Sequence, residues 1–252
     1  MKLNPACRLS LVISTLLLIA AGAIAADTAP QQPQPDSSPA HKNRLIGVGE
    51  PRLPQPFTRE QRLLKAAREG DLRTIERALE LGVDVNTKDE LQRSPLLLAA
   101  RHTGSVDLVR HLQARGGEID SADAGGRTPL SHAAANGSLA LIKYLAAAGV
   151  RIDHPDKRGR TPLHYAATNN HPDTAAALIA AGADVNARDK FLDTPLMSVC
   201  ARGQTDMIKL LLDRGADPTL TDQEGRTVYT RAVHKPGCRE LLPALNAGTR
   251  SP

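Results

Sequence analysis

Histidine, cysteine and facing carboxylates supply most hydrolytic, redox and metal chemistry, and this chain scatters them. Its eight histidines are spread along the sequence. His154 and His171 flank one segment with no third ligand evident, short of the three or four donors that a zinc site takes. No HExxH, no Gly-rich phosphate loop and no paired Cys motif occurs. Asp and Glu stand singly at turns and helix starts, which suits capping rather than acid–base pairing. The reading is of a protein that is not an enzyme, with no catalytic residue, no cofactor and no metal ligand.

What recurs is not chemistry but spacing. Thr128, Thr161, Thr194 and Thr227 follow one another at steps of 33 residues, and Ser94-Pro95 joins them with one extra residue before Thr128. A fixed period of this size decides the architecture before any local reading. Six units result, at 61–93, 94–127, 128–160, 161–193, 194–226 and 227–248. Thr followed by Pro predicts a helix start, the hydroxyl accepting an orphan amide and Pro suiting the first helical position. Small pairs follow, such as Ala99-Ala100 and Ala133-Ala134, and let neighbouring helices approach. Gly70, Gly104, Gly137 and Gly203, with Asn170 in the fourth unit, predict the end of that helix. A second amphipathic helix follows, capped at Gly82, Gly116, Gly149, Gly182 and Gly215. An extended piece leads to a turn opened by Asp89, Asp123, Asp156, Asp189 or Asp222, whose carboxylate can bond its own backbone. One such unit cannot bury its apolar face, whereas stacked units can.

Composition agrees. The 252 residues are 41% hydrophobic but only 2% aromatic, with no Trp, so the core must be Leu, Ile, Val and Ala. The formal charge is +5 and falls to +3 once Lys2 and Arg8 leave with the leader. That gives no case for nucleic acid, which asks for a clustered basic face with stacking aromatics.

The leader is residues 1–25. Lys2 and Arg8 precede an uncharged run from Leu9, and Ala23-Ile24-Ala25 fits a signal-peptide cleavage site after Ala25, with Ala26 as the alternative. An uncleaved anchor remains open, because the run approaches the length of a membrane span. The short basic start and Ala-rich end point to a bacterial, periplasmic protein; secretion or a signal anchor are the alternatives. No stable membrane insertion is expected after cleavage. Residues 26–56 form a disordered Pro-rich linker, with Leu45-Ile46-Gly47-Val48 its one apolar spot.

The segments GRTPLHYAA and AAGADVNARD resemble the ankyrin repeat, and the likeness runs from about Thr58 to Ala247. It implies an all-α solenoid over 57–249, each unit a helix-turn-helix plus a β-hairpin-like loop. It also implies a structural role for His164 in its TPLH slot. The terminal units depart from the pattern, with Gln61-Arg62 in the first and Val228, Pro236-Gly237 and Pro243 in the sixth, where caps are expected. The resemblance further implies protein binding through a concave surface of turn tips and first helices.

Residues that vary between units are free to serve a partner. At the tips these include Leu91, Arg93, Arg127, Lys157, Arg158, Arg160, Lys190, Phe191 and Leu192; the ends of the first helices add Arg68, Arg101, His102, Asn136, Asn169 and Arg202. Leu91, Phe191 and Leu192 are apolar where other units carry Gly or charge: interface anchors, or side chains folded back on their own hairpin. Lys157, Arg158 and Arg160 make a basic tip: a lure for an acidic partner, or a solvated face. Cys200 and Cys238 are expected as two separate buried thiols, although an export compartment permits a bridge. The expected function is a periplasmic adaptor or inhibitor, an immunity-type inhibitor being one version, monomeric when free. The alternative is an accessory factor stabilising an exported stress-defence enzyme.

Overall fold

The computed structural model describes residues 57–231 and Cys238; the leader, the linker and most of the sixth unit, with Pro236, Gly237 and Pro243, lie outside the described residues. Eleven helices stand in order within that span. First helices of successive units are α1 (Arg59–Glu69), α3 (Pro95–His102), α5 (Pro129–Asn136), α7 (Pro162–Thr168), α9 (Pro195–Cys200) and α11 (Val228–Arg231). Second helices are α2 (Leu72–Glu80), α4 (Val106–Ala114), α6 (Leu139–Ala147), α8 (Pro172–Ala180) and α10 (Thr205–Asp213).

The punctuation acts as its chemistry requires. Ser94, Thr128 and Thr194 accept from the amides of Leu97, Ser131 and Met197, with Pro at the first helical position of each helix. The first unit solves its missing Thr-Pro differently. Thr58 and Gln61 form a reciprocal capping box, so α1 begins before the repeat register and runs longer than its counterparts. Asn170 closes α7 with φ +59°, the left-handed conformation that glycine takes at Gly70 and Gly137.

First helices pack side by side, α1 on α3, α3 on α5, α5 on α7 and α7 on α9, and the second helices form a second row. Leu63, Leu96, Leu130, Leu163 and Leu196, in register, are fully buried, with the small pairs Ala99-Ala100, Ala133-Ala134 and Ala166-Ala167 beside them. Each buried Leu contributes about 1.5–3 kcal/mol. The small pairs are what let aliphatic helices close without aromatic bulk.

Side-chain amides stitch unit to unit. Asn86 donates to the Gly116 carbonyl at 3.0 Å and accepts from the Glu118 amide at 2.9 Å. Asn186 repeats this with Gly215 and Asp217. Asp153 holds the same place in the third unit, and its Oδ2 accepts from the Asp184 amide at 3.0 Å. Its buried Oδ1 has no partner among the described residues.

Cys200 and Cys238 are joined by a disulfide, with their Cα atoms 5.2 Å apart. This corrects the expectation of separate thiols. Cys200 ends α9, and the next unit stacks against that end closely enough to meet the separation a bridge needs.

Candidate functional site

The face built by hairpin tips and first helices rests on one device used five times. Oδ1 of Asp89, Asp123, Asp156, Asp189 and Asp222 accepts two amides from its own hairpin, two and four residues on, at 2.8–3.0 Å. In four hairpins the other oxygen pairs with the closing arginine: Arg93 at 2.6 Å, Arg127 and Arg160 at 3.2 Å, Arg226 at 2.9 Å. Arg93, Arg127 and Arg160 are therefore a recurring structural element, not variable side chains free at the tip. The fourth hairpin closes on Asp193 instead, and Arg231 of the sixth unit bridges Asp193 at 2.8 Å and Asp222 of the fifth hairpin at 2.7 Å.

Arg202 is likewise engaged. Its guanidinium donates to the Thr168 carbonyl at the end of α7, 3.0 Å away. Asn136 and Asn169 make the equivalent bonds to the carbonyls of Arg101 and Ala135, at 2.6 and 2.7 Å. These positions fasten one helix end to the preceding one.

What remains at the tips is a patch across the third and fourth hairpins. The Lys190 amide donates to the Arg158 carbonyl at 2.8 Å, so the two tips are neighbours. Lys157, Arg158 and Lys190 are exposed, and none has an ion-pair partner among the described residues. Phe191 is 56% exposed and Leu192 38%; Leu91, on the first hairpin, is 53% exposed. These side chains stand in solvent rather than folding back. Leu192 also has φ +60°, where the second and third hairpins carry Gly126 and Gly159 at +81° and +83°. A left-handed non-glycine residue costs about 1–3 kcal/mol. The signal was present in the sequence as DKFLD against DKRGR, but its backbone strain was not.

Two family models match the chain: ankyrin repeats (3 copies) at residues 63–156 and 96–189, and ankyrin repeats (many copies) at 178–232. The chain belongs to the ankyrin-repeat family. Ankyrin repeats are in general protein-binding modules. No curated protein matches the chain.

One variable row of this ankyrin array escaped the sequence reading. The fourth helical position of the first helices holds Leu98, His132, Tyr165, Ser198 and Arg231, and three of these reach the hairpin aspartate. His132 Nε2 lies 3.0 Å from Asp123 Oδ2; the Tyr165 hydroxyl donates to Asp156 at 2.6 Å; Arg231 takes Asp222. Burial lowers the His132 pKa to about 4, with Arg127 and Arg101 adding repulsion, and the Asp123 charge does not restore it. The ring is then neutral and donates from Nε2. Burial, reinforced by the bond to Asp156, pushes the Tyr165 hydroxyl up to about 12. Burial alone would raise Asp222, but the Arg226 amide and guanidinium, the Glu224 amide and Arg231 outweigh it and hold the carboxyl below its ordinary range.

His164 is structural in its detail. Nδ1 accepts from the Thr161 amide at 3.2 Å, and Nε2 donates to the Asp193 carbonyl of the next hairpin at 3.0 Å. His171 Nε2 faces the Ala135 carbonyl at 3.1 Å. Among the described residues no three His, Cys, Asp or Glu side chains cluster at metal-ligand spacing.

Proposed function

We propose that this ankyrin-repeat protein is an exported, non-catalytic binding module, a periplasmic adaptor or inhibitor that grips a protein partner with the tips of its third and fourth hairpins. The observation that carries the reading is the exposed Phe191-Leu192 pair, with Leu192 in a strained backbone, beside Lys157, Arg158 and Lys190. Aromatic and apolar anchors ringed by charge suit an interface, and strain of this kind concentrates at binding sites. The basic residues would steer an acidic partner surface toward the anchors.

Export rests on residues 1–25 as a leader cleaved after Ala25, with 26–56 as the linker to an array over 57–249. The Cys200–Cys238 bridge favours the same reading, because such bonds persist in oxidising compartments. No helix among the described residues is long and apolar enough to cross a membrane.

The test is capture from periplasmic extract with the chain from Ala26 as bait, against the same bait carrying Phe191→Ala with Lys157→Glu and Arg158→Glu. A protein held by the first and released by the second is the expected result. Equal retention would move the site off these tips. If the captured protein is a stress-defence enzyme whose half-life the chain extends, the accessory role replaces the inhibitor.

A further inference from the structure

A second basic site lies on the first helices of the N-terminal units. Arg68 and Arg101 occupy the same register in the last turns of α1 and α3. Those helix ends are adjacent: a Cβ on Gly70 would stand 3.5 Å from the Thr103 side chain. Arg93 and Arg127 close the hairpins that flank α3. Their charges are matched by Asp89 and Asp123, and Glu69 faces Lys65 at 3.9 Å. Arg68 and Arg101 have no ion-pair or hydrogen-bond partner for their guanidiniums among the described residues. Arg101 is half-buried, and after burial its strongest perturbations are the like charges of Arg127 and Arg93, which Asp123 offsets in part and to which Arg68 adds. Charge is thus held in excess where partial burial makes it costly, and an arriving anion would relieve it.

Beside this pair lies an open cleft of about 320 Å³ between α1 and α3. Leu64 and Leu98 give it an apolar floor and Phe57 an apolar end; on its rim Lys65 and Arg93 are matched by Glu69 and Asp89, which leaves Arg68 as the uncompensated charge. A floor of this kind accepts an aliphatic side chain. The unpaired guanidiniums of Arg68 on the rim and Arg101 beside it can donate paired hydrogen bonds to a carboxylate. Phe57 is the cleft's one aromatic residue, so successive bases would have no stacking row.

We propose that this cleft binds an acidic peptide segment of the protein partner, an aliphatic side chain on the Leu64–Leu98 floor and a carboxylate on Arg68 at the rim and Arg101 just beyond it. The proposal rests on the reading of the array as a protein-binding module and adds a second contact to the hairpin patch.

The test uses the chain from Ala26 and the fluorescein-labelled peptide Glu-Glu-Leu-Glu-Glu, read by anisotropy at low salt. Arg101→Gln and Arg68→Gln are each expected to raise Kd about tenfold, the loss of one charge-assisted contact. Lys209→Gln, an exposed lysine on α10, is expected to leave Kd unchanged. The peptide with Gln for Glu is expected not to bind. Equal weakening by Lys209→Gln, or none by Arg101→Gln, overturns the proposal, since binding would then be diffuse or elsewhere. An octathymidylate that displaces the peptide with the same Arg101 dependence overturns it in favour of nucleic acid. Phe191→Ala should not alter peptide affinity. If partner capture needs Phe191 while the peptide ignores Arg101, this cleft fails and the hairpin patch stands; if the peptide needs Arg101 while capture ignores Phe191, the cleft stands and the patch fails.

Discussion

Asn86 and Asn186 each clamp the next unit with a donor and an acceptor, whereas Asp153 offers two acceptors and leaves one buried and unpartnered. Asp153→Asn should let the new amide reach the Gly182 carbonyl, the counterpart of Gly116 and Gly215. The expected gain is about 1 kcal/mol, seen as a melting temperature higher by about 2–4 °C; no change would mean that Oδ1 does not face that carbonyl. His132 makes a pH prediction. Its folded pKa is lowered to about 4 from an ordinary 6.5, so the unfolded chain takes up the proton first. The stability tied to the neutral ring is complete above pH 6.5 and lost as pH falls toward 4. Between pH 7 and 4.5 that loss is about 2–3 kcal/mol. His132→Tyr, copying Tyr165, keeps a donor for Asp123 without a titrating ring. Urea melts at the two pH values should show the variant losing less than the parent by about that amount.

The helices and their ends were legible in the sequence because each depends on one or two local residues. Thr161-Pro162 opens α7 and Asn170 closes it whatever the partner packing. The hairpins were legible only in part. Asp89, Asp123, Asp156, Asp189 and Asp222 announced turns, but the closing arginines read as variable because the fourth hairpin has Asp193 in that slot. Their true partner, the second carboxylate oxygen, is a matter of three-dimensional reach that spacing does not encode. The same holds for Arg202, whose acceptor is a carbonyl 34 residues away, and for Cys200, whose bridge depends on how the last units stack. At Leu192 the prediction belongs to the hairpin as an element. Leu192→Gly relieves the left-handed backbone and is expected to raise stability by about 1 kcal/mol. The same change removes an exposed anchor, so captured partner should fall while the melting temperature rises. A variant that loses both would mean that the leucine packs the hairpin rather than serving an interface.

At the scale of the whole molecule, stability is a sum of unit terms and neighbour contacts. The patch at the third and fourth hairpins and the cleft at α1 and α3 sit on different neighbours, so a partner reaching both would brace four units at once. The disulfide acts on one end alone. In the chain-entropy view, closing a loop of this length contributes about 4 kcal/mol. Replacing both Cys200 and Cys238 by Ala should raise amide exchange through α9, α10 and α11 while leaving α1–α4 as they were. Uniformly faster exchange would mean that the array unfolds as one block.

The bridge also hides length. Stretched between its termini, the oxidised chain cannot pay out the residues between Cys200 and Cys238, whose sequence separation is 38. At about 3.4 Å per extended residue, roughly 130 Å of contour stays locked behind two sulfur atoms. In a single-molecule tether, added reductant would release that slack as one late step. The chain would thus report the oxidation state around it as a change in how far it can be drawn.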